Sequence, residues 1–128
     1  MRDFITTRIK SFGHAFAGWA YVLRTQRNTW IHALISIAVF IVGLWLRLGR
    51  LEWGLIIISG TLVWLAEFLN TALEAIVDLA SPEQHPLAKV GKDVGAAAVL
   101  IAALAAVLIG LLVLGPPLWE RLINLLTY

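Results

Sequence analysis

The chain has 128 residues, 60% of them hydrophobic and only 14% charged, whereas soluble domains carry roughly 25% charged residues. With a mean hydropathy of +0.86, a water-soluble globule is excluded, and the length covers one small membrane domain. The net charge of +2 and the absence of cysteine argue against a nucleic-acid partner, disulfides, thiolate metal sites and cysteine nucleophiles.

Residues 4–24 are expected to form an amphipathic surface helix. Ile5, Ile9, Phe12, Phe16, Trp19 and Leu23 recur at steps of four and three, whereas Asp3, Lys10, His14 and Arg24 lie off that stripe. Such a helix lies in the membrane interface or packs on the protein's own core, and the two arrangements are compatible. Arg24 and Arg27 interrupt the run, and no small-residue cleavage site follows a hydrophobic core, so the segment is expected to be retained.

Span one is expected over residues 28–47, an apolar stretch with Trp30 and Trp45 near its ends. Span two begins at Trp53 and meets Glu67 after 14 residues. That length rises roughly 21 Å, short of a hydrocarbon core of about 30 Å. The helix must therefore continue to residue 79, which puts Glu67 at membrane depth. Ser81 and Pro82 break the helix, and span three is expected over residues 89–115, ended by Gly115, Pro116 and Pro117. Its small residues Ala98, Ala102, Ala106 and Gly110 recur every four positions, as in closely packed membrane helices. Residues 117–128 are expected to form a separate interfacial tail. Seven Lys and Arg residues flank the N-terminal segment and second loop, against Arg47, Arg50 and Arg121 on the other side; this predicts a cytoplasmic N-terminus and second loop.

Glu67, Asn70, Thr71, Glu74 and Asp78 fall on one face of span two. On insertion scales a carboxylate at mid-span costs about 2.5–3.5 kcal/mol, so such groups are read as functional. The backbones of Glu67 and Glu74 differ in depth by about 10 Å, too much to clasp one ion. The spacing suits divided labour. Glu74, nearer the cytoplasm, takes a Mg²⁺ carried by a nucleotide, and Glu67 meets a hydroxyl arriving from the membrane as general base, with Asn70 and Thr71 as donors between them. Lys89 and Lys92 are placed to meet phosphates. A Walker A loop would need Gly where Pro86 stands, and no GxGxxG occurs.

The stretches EFLNTALEAIVDL from Glu67 and HPLAKVGKDVGAAAVLIAA from His85, with GHAFAG and RNTWIH nearer the N-terminus, closely resemble the small prokaryotic integral-membrane diacylglycerol kinases and their undecaprenol kinase relatives. The resemblance extends to about Gly115. It implies an all-α homotrimer in the bacterial inner membrane, each subunit with a surface helix and three spans, that transfers the γ-phosphate of Mg-ATP to a lipid alcohol. By the same resemblance Glu67 is the catalytic base and Glu74 a metal ligand. Arg8, Asn70 and Glu67 meet the lipid substrate, and Glu83, Gln84, His85, Lys92 and Asp93 meet the nucleotide. Two positions depart from the family pattern. Gln26 stands where a second metal-binding Glu is usual, and an amide is a weaker ligand for a hard cation; His14 stands where some members have a nucleotide-contacting Tyr. The S-P-E-x-H-P-L-A-K and R-N-x-x-I-H stretches look more like the undecaprenol kinase branch, which favours undecaprenol over diacylglycerol as acceptor. The rival readings are a small membrane transporter, which typically has four spans and its key acid in the first, and a non-catalytic assembly subunit, which leaves the acid stripe unexplained.

Overall fold

The computed structural model describes residues 2–81, 83 and 85–127, with side chains from Thr6 onward. Its described residues form four helices and no strand: α1 (Arg2–Thr25), α2 (Arg27–Leu46), α3 (Arg50–Ala80) and α4 (Pro86–Leu126). The last three are long and apolar enough to cross a membrane. Their outward faces carry exposed Ile35, Ile41, Ile57, Leu65, Leu104 and Leu111, as lipid-facing helices do.

Gln26 separates α1 from α2 in an extended conformation (φ −105°, ψ 112°) and does not cap α2 with its side chain. On α1, Ile9, Phe12 and Phe16 are exposed, as expected for an interfacial stripe; the side chain of Ile5 lies outside the described residues. Near the end of the helix Val22 is buried. Trp19 packs on Trp64 and Phe68 of α3, with ring centroids at 5.1 and 4.7 Å. The stripe is therefore divided: its first half is free of the helical core, and its last turn is anchored to it.

The α2–α3 turn is tight. Arg47 takes the left-handed conformation (φ 57°, ψ 47°), and the N–H of Leu48 donates to the carbonyl of Gly43 at 3.1 Å while that of Arg47 donates to Leu44 at 3.2 Å, a helix ending of the Schellman type. Gly43 is buried beneath the Trp53 ring. A Cβ there would lie 2.9 Å from Trp53 Cη2 and 3.1 Å from Leu48 Cδ1.

Helix α4 starts at Pro86, a position that needs no N–H partner, with His85 Nδ1 accepting from the N–H of Leu87 at 3.2 Å. It packs along α3, where Gly91 meets Val77 and Gly95 meets Asn70 and Leu73. Beyond that contact an apolar groove of about 640 Å³ runs between the two helices, with Asn70 at one end and Ile109 at the other.

The expected end of span three at Gly115, with a separate tail, is corrected: α4 continues through Pro116 and Pro117 to Leu126. Proline fixes φ near the helical value, and its cost is a missing donor, here to the carbonyls of Leu112 and Val113; the pair weakens the ladder locally without ending the helix. Helices α2 and α3 cover the two stretches expected as spans one and two, with ends that differ from them by one to three residues.

Gly43→Val is expected to destabilise the purified protein by about 1–3 kcal/mol through overpacking against Trp53. Thermal unfolding in detergent measures this, and an unchanged midpoint would remove the α2–α3 contact as a determinant of stability.

A carboxylate site on the α2–α3 seam

Because α3 runs back along α2, residues ascending one helix meet residues descending the other. Four polar contacts mark this seam. Gln26 Nε2 donates to Glu74 Oε2 at 2.9 Å, and Thr29 Oγ1 donates to Glu67 Oε1 at 3.4 Å. His32 Nε2 lies 3.9 Å from Glu67 Oε2, and Trp64 Nε1 donates to Ser36 Oγ at 3.2 Å. Positions 26, 29, 32 and 36 share one face of the α2 segment, which explains how a helix whose ionisable residues are Arg27 and His32 can serve two carboxylates.

Glu67 is 3% exposed and Thr29 fully buried. One carboxylate oxygen is held by the Thr29 hydroxyl and the other faces the imidazole. Thr71, expected to be a donor in the site, instead returns its hydroxyl to the Glu67 backbone carbonyl at 2.9 Å, so its donor is spent within α3 and none points at a ligand.

Glu74, one level along the stripe, is half-buried and has both oxygens occupied: Gln26 donates to one, and Asn70 Nδ2 donates to the other at 3.1 Å. Asn70 Oδ1 is buried without a hydrogen-bond partner among the described residues and lies against Gly95. The set around Glu74 is thus one carboxylate with two amides that present their nitrogens to it. No cluster of three or more His, Cys, Asp or Glu occurs among the described residues. Such a set suits Mg²⁺ in its usual mode, bound through one carboxylate and completed by phosphate oxygens and water.

Asp78 continues the stripe to the helix end, exposed, and pairs with Lys92 Nζ on α4 at 2.5 Å. Asp93 pairs with Lys89 at 3.7 Å. Glu83 and His85 are exposed in the connection between α3 and α4, near the Lys92 end of the molecule; Gln84 lies outside the described residues. Arg8 and His14 lie on the exposed part of α1. The structure thus brings together Gln26, Glu67, Asn70 and Glu74 and places Lys92 one turn beyond Glu74 through Asp78. Thr29 and His32 were not singled out in the sequence; the signal was the recurrence of Gln26, Thr29, His32 and Ser36 at steps of three and four in an otherwise apolar span.

Three apolar helices around internal carboxylates define an integral membrane protein built about an acidic site. A family model described as prokaryotic diacylglycerol kinase matches residues 13–114. Similar proteins include a diacylglycerol kinase of Synechocystis sp., 42% identical over 88% of this chain and 65% of its own length. An undecaprenol kinase of Bacillus subtilis is 40% identical over 91% of this chain and 95% of its own length. A diacylglycerol kinase of Escherichia coli K12 is 34% identical over 80% of this chain and 84% of its own length. This chain therefore spans about two thirds of the Synechocystis protein and nearly all of the Bacillus one. The chain belongs to the prokaryotic diacylglycerol kinase family and is a membrane lipid kinase, an ATP-dependent phosphotransferase.

Thr29→Val keeps the shape of the side chain and removes the donor to Glu67. Hydrogen bonds to charged groups contribute about 1.5–3 kcal/mol, so turnover is expected to fall by roughly tenfold or more, with Thr29→Ser close to wild type; lipid phosphorylation in mixed micelles measures both, and equal activity of the two variants would remove this contact from the site.

Proposed function

We propose that the protein phosphorylates a membrane-dissolved alcohol, with undecaprenol the favoured acceptor and diacylglycerol the second, from Mg-ATP on the cytoplasmic side. The observation that carries the reading is the pair of carboxylates on one helix face with different surroundings. Glu67 is sealed among α2 donors, and Glu74 is half-open beside two amides. The S-P-E-x-H-P-L-A-K stretch and the match along nearly the whole Bacillus subtilis undecaprenol kinase support undecaprenol.

In this reading Glu67 accepts the proton of the lipid hydroxyl. The hydroxyl oxygen forms a bond to the γ-phosphorus as the bond from that phosphorus to the oxygen of the ADP leaving group breaks. Bound Mg²⁺ supplies charge neutralisation of the phosphates. Glu74, with Gln26 beside it, is the protein group that would hold it. Lys92 offers a positive charge to the phosphates once it exchanges Asp78 for them, and Glu83, Gln84, His85 and Asp93 flank the nucleotide. Arg8 and Asn70 orient the acceptor, whose chain the groove between α3 and α4 can receive; His14 stands at the edge of the nucleotide side. A homotrimer supplies the walls that one subunit of three spans lacks, with the N-terminus and the connection between α3 and α4 in the cytoplasm. The seven-to-three division of basic residues supports that orientation.

With Mg-ATP and each lipid in parallel, Glu67→Gln is expected to lower kcat by about 10²–10⁴-fold, the usual contribution of general base catalysis. Turnover in Glu67→Gln equal to wild type would overturn the assignment, and phosphorylation of diacylglycerol in preference to undecaprenol would reverse the choice of acceptor. Gln26→Glu replaces a neutral ligand with an anionic one, so the Mg²⁺ concentration giving half-maximal activity is expected to fall; an unchanged value would take Gln26 out of the metal site.

A further inference from the structure

The proton that Glu67 takes from an alcohol has to leave a carboxylate that is 3% exposed. Thr29 holds Oε1 and is itself fully buried, and the Thr71 hydroxyl is committed to a backbone carbonyl, so neither opens a path outward. Oε2 faces His32, whose Nε2 is 3.9 Å away. A movement of about 1 Å brings the pair into hydrogen-bond range. The His32 side chain is 16% exposed against 4% for that of Glu67, so the imidazole reaches from the sealed carboxylate toward the outside of the helix pair. An imidazole has one basic ring nitrogen and a second that bears N–H, so it can take a proton at one side and give one at the other, which the amides elsewhere on the seam cannot. Glu67 is the ionisable partner of His32 among the described residues.

We infer that His32 acts through Glu67, relaying the abstracted proton out of the site. The inference rests on the reading of Glu67 as the base. During transfer the O–H bond of the alcohol breaks and its proton binds Glu67 Oε2, while the new O–P bond forms and ADP departs. The Oε2–H bond then breaks, the proton binds the lone pair of His32 Nε2, the Nδ1–H bond gives its proton to water, and exchange of the remaining proton from Nε2 to Nδ1 through water restores the Nε2 lone pair. Glu67 is left anionic for the next acceptor, and the net change is one proton delivered to solvent per phosphate transferred.

The test uses the full-length protein in mixed micelles with saturating lipid alcohol and Mg-ATP. His32→Gln can still donate a hydrogen bond to Glu67 but carries no exchangeable proton near neutral pH; His32→Ala leaves a space that free imidazole can enter. Both variants are expected to lose tenfold or more in kcat with KM for ATP and lipid unchanged, and added imidazole is expected to restore kcat in His32→Ala but not in Glu67→Gln. Wild-type kcat in His32→Gln overturns the relay, as does a loss in both variants that imidazole does not recover or that falls on KM alone. If His32→Ala does not fold, His32→Gln alone decides, through its kcat. The two readings fail differently: an active Glu67→Gln overturns the base and the relay together, whereas an inactive Glu67→Gln beside a fully active His32→Gln overturns the relay alone.

Discussion

A carboxylate at membrane depth is tolerated only where protein supplies the donors that water would, and this constraint organises the molecule. Glu67 and Glu74 lie on the inner face of α3, so whatever packs there has to be polar at two levels separated by two helical turns. Helix α2 meets the requirement with Gln26, Thr29 and His32. The extended residue at Gln26 starts α2 in the right place, and the tight Arg47 turn sends α3 back along it. The buried Gly43 beneath Trp53 closes the far end of the same seam. Turn geometry at one end and side-chain chemistry at the other thus serve a single register.

The same constraint explains why some features were legible in the sequence and others were not. Spans are read from gaps in charge, and the gaps flanking Asn28, Trp53 and Val94 mark three helices the structure contains. The acid stripe was equally plain, because a charge in an apolar run stands out. Its partners were harder to see: Thr29 is a neutral residue in a neutral run, and His32 counts as polar without counting as charged. Their role depends on the register between two helices, which no single helix's periodicity encodes. The end of α4 was misread for a different reason. Two prolines after a glycine resemble a stop signal, but the rule concerns lost donors, and a long apolar helix packed on α3 has enough other bonds to continue past them. Thr71 shows the limit of reading a face alone: its position is on the stripe, yet its hydroxyl closes back on its own helix.

One glycine on α4 links the seam to the rest of the bundle. At Gly95 a Cβ would overlap Asn70 Oδ1, so the absence of a side chain on α4 lets Asn70 keep its amide between Glu74 and that helix. Asn70 therefore couples two packing problems: its Nδ2 serves the carboxylate on α3, while its Oδ1 occupies space that only glycine leaves free. The small residues of α4 are usually read as a means of bringing helices together. Here the same closeness also fixes the orientation of a polar side chain next to an acid.

The order of exposure along α3 follows from this arrangement and bears on how one helix can serve reactants from two phases. Glu67 is sealed, Glu74 is half-buried and Asp78 is exposed, so the three acids run from the interior of the bundle to its water-facing end. A lipid alcohol arrives with its hydroxyl at the depth of its headgroup and its chain in hydrocarbon, and a nucleotide arrives from water with its phosphates leading. On the proposed function, successive positions on one stripe, 0, 7 and 11 residues along, present an acid at each stage of that approach, and Lys92, held by Asp78, stands where phosphates would enter. The gradient is cheap to build, because each acid needs only as many protein donors as the water it has lost. Glu67 takes a hydroxyl and faces an imidazole, Glu74 takes two amides, and Asp78 takes a lysine that solvent also reaches. Catalytic position and solvation requirement are thus set by a single variable, depth along α3, which is how a chain of 128 residues accommodates both with one helix.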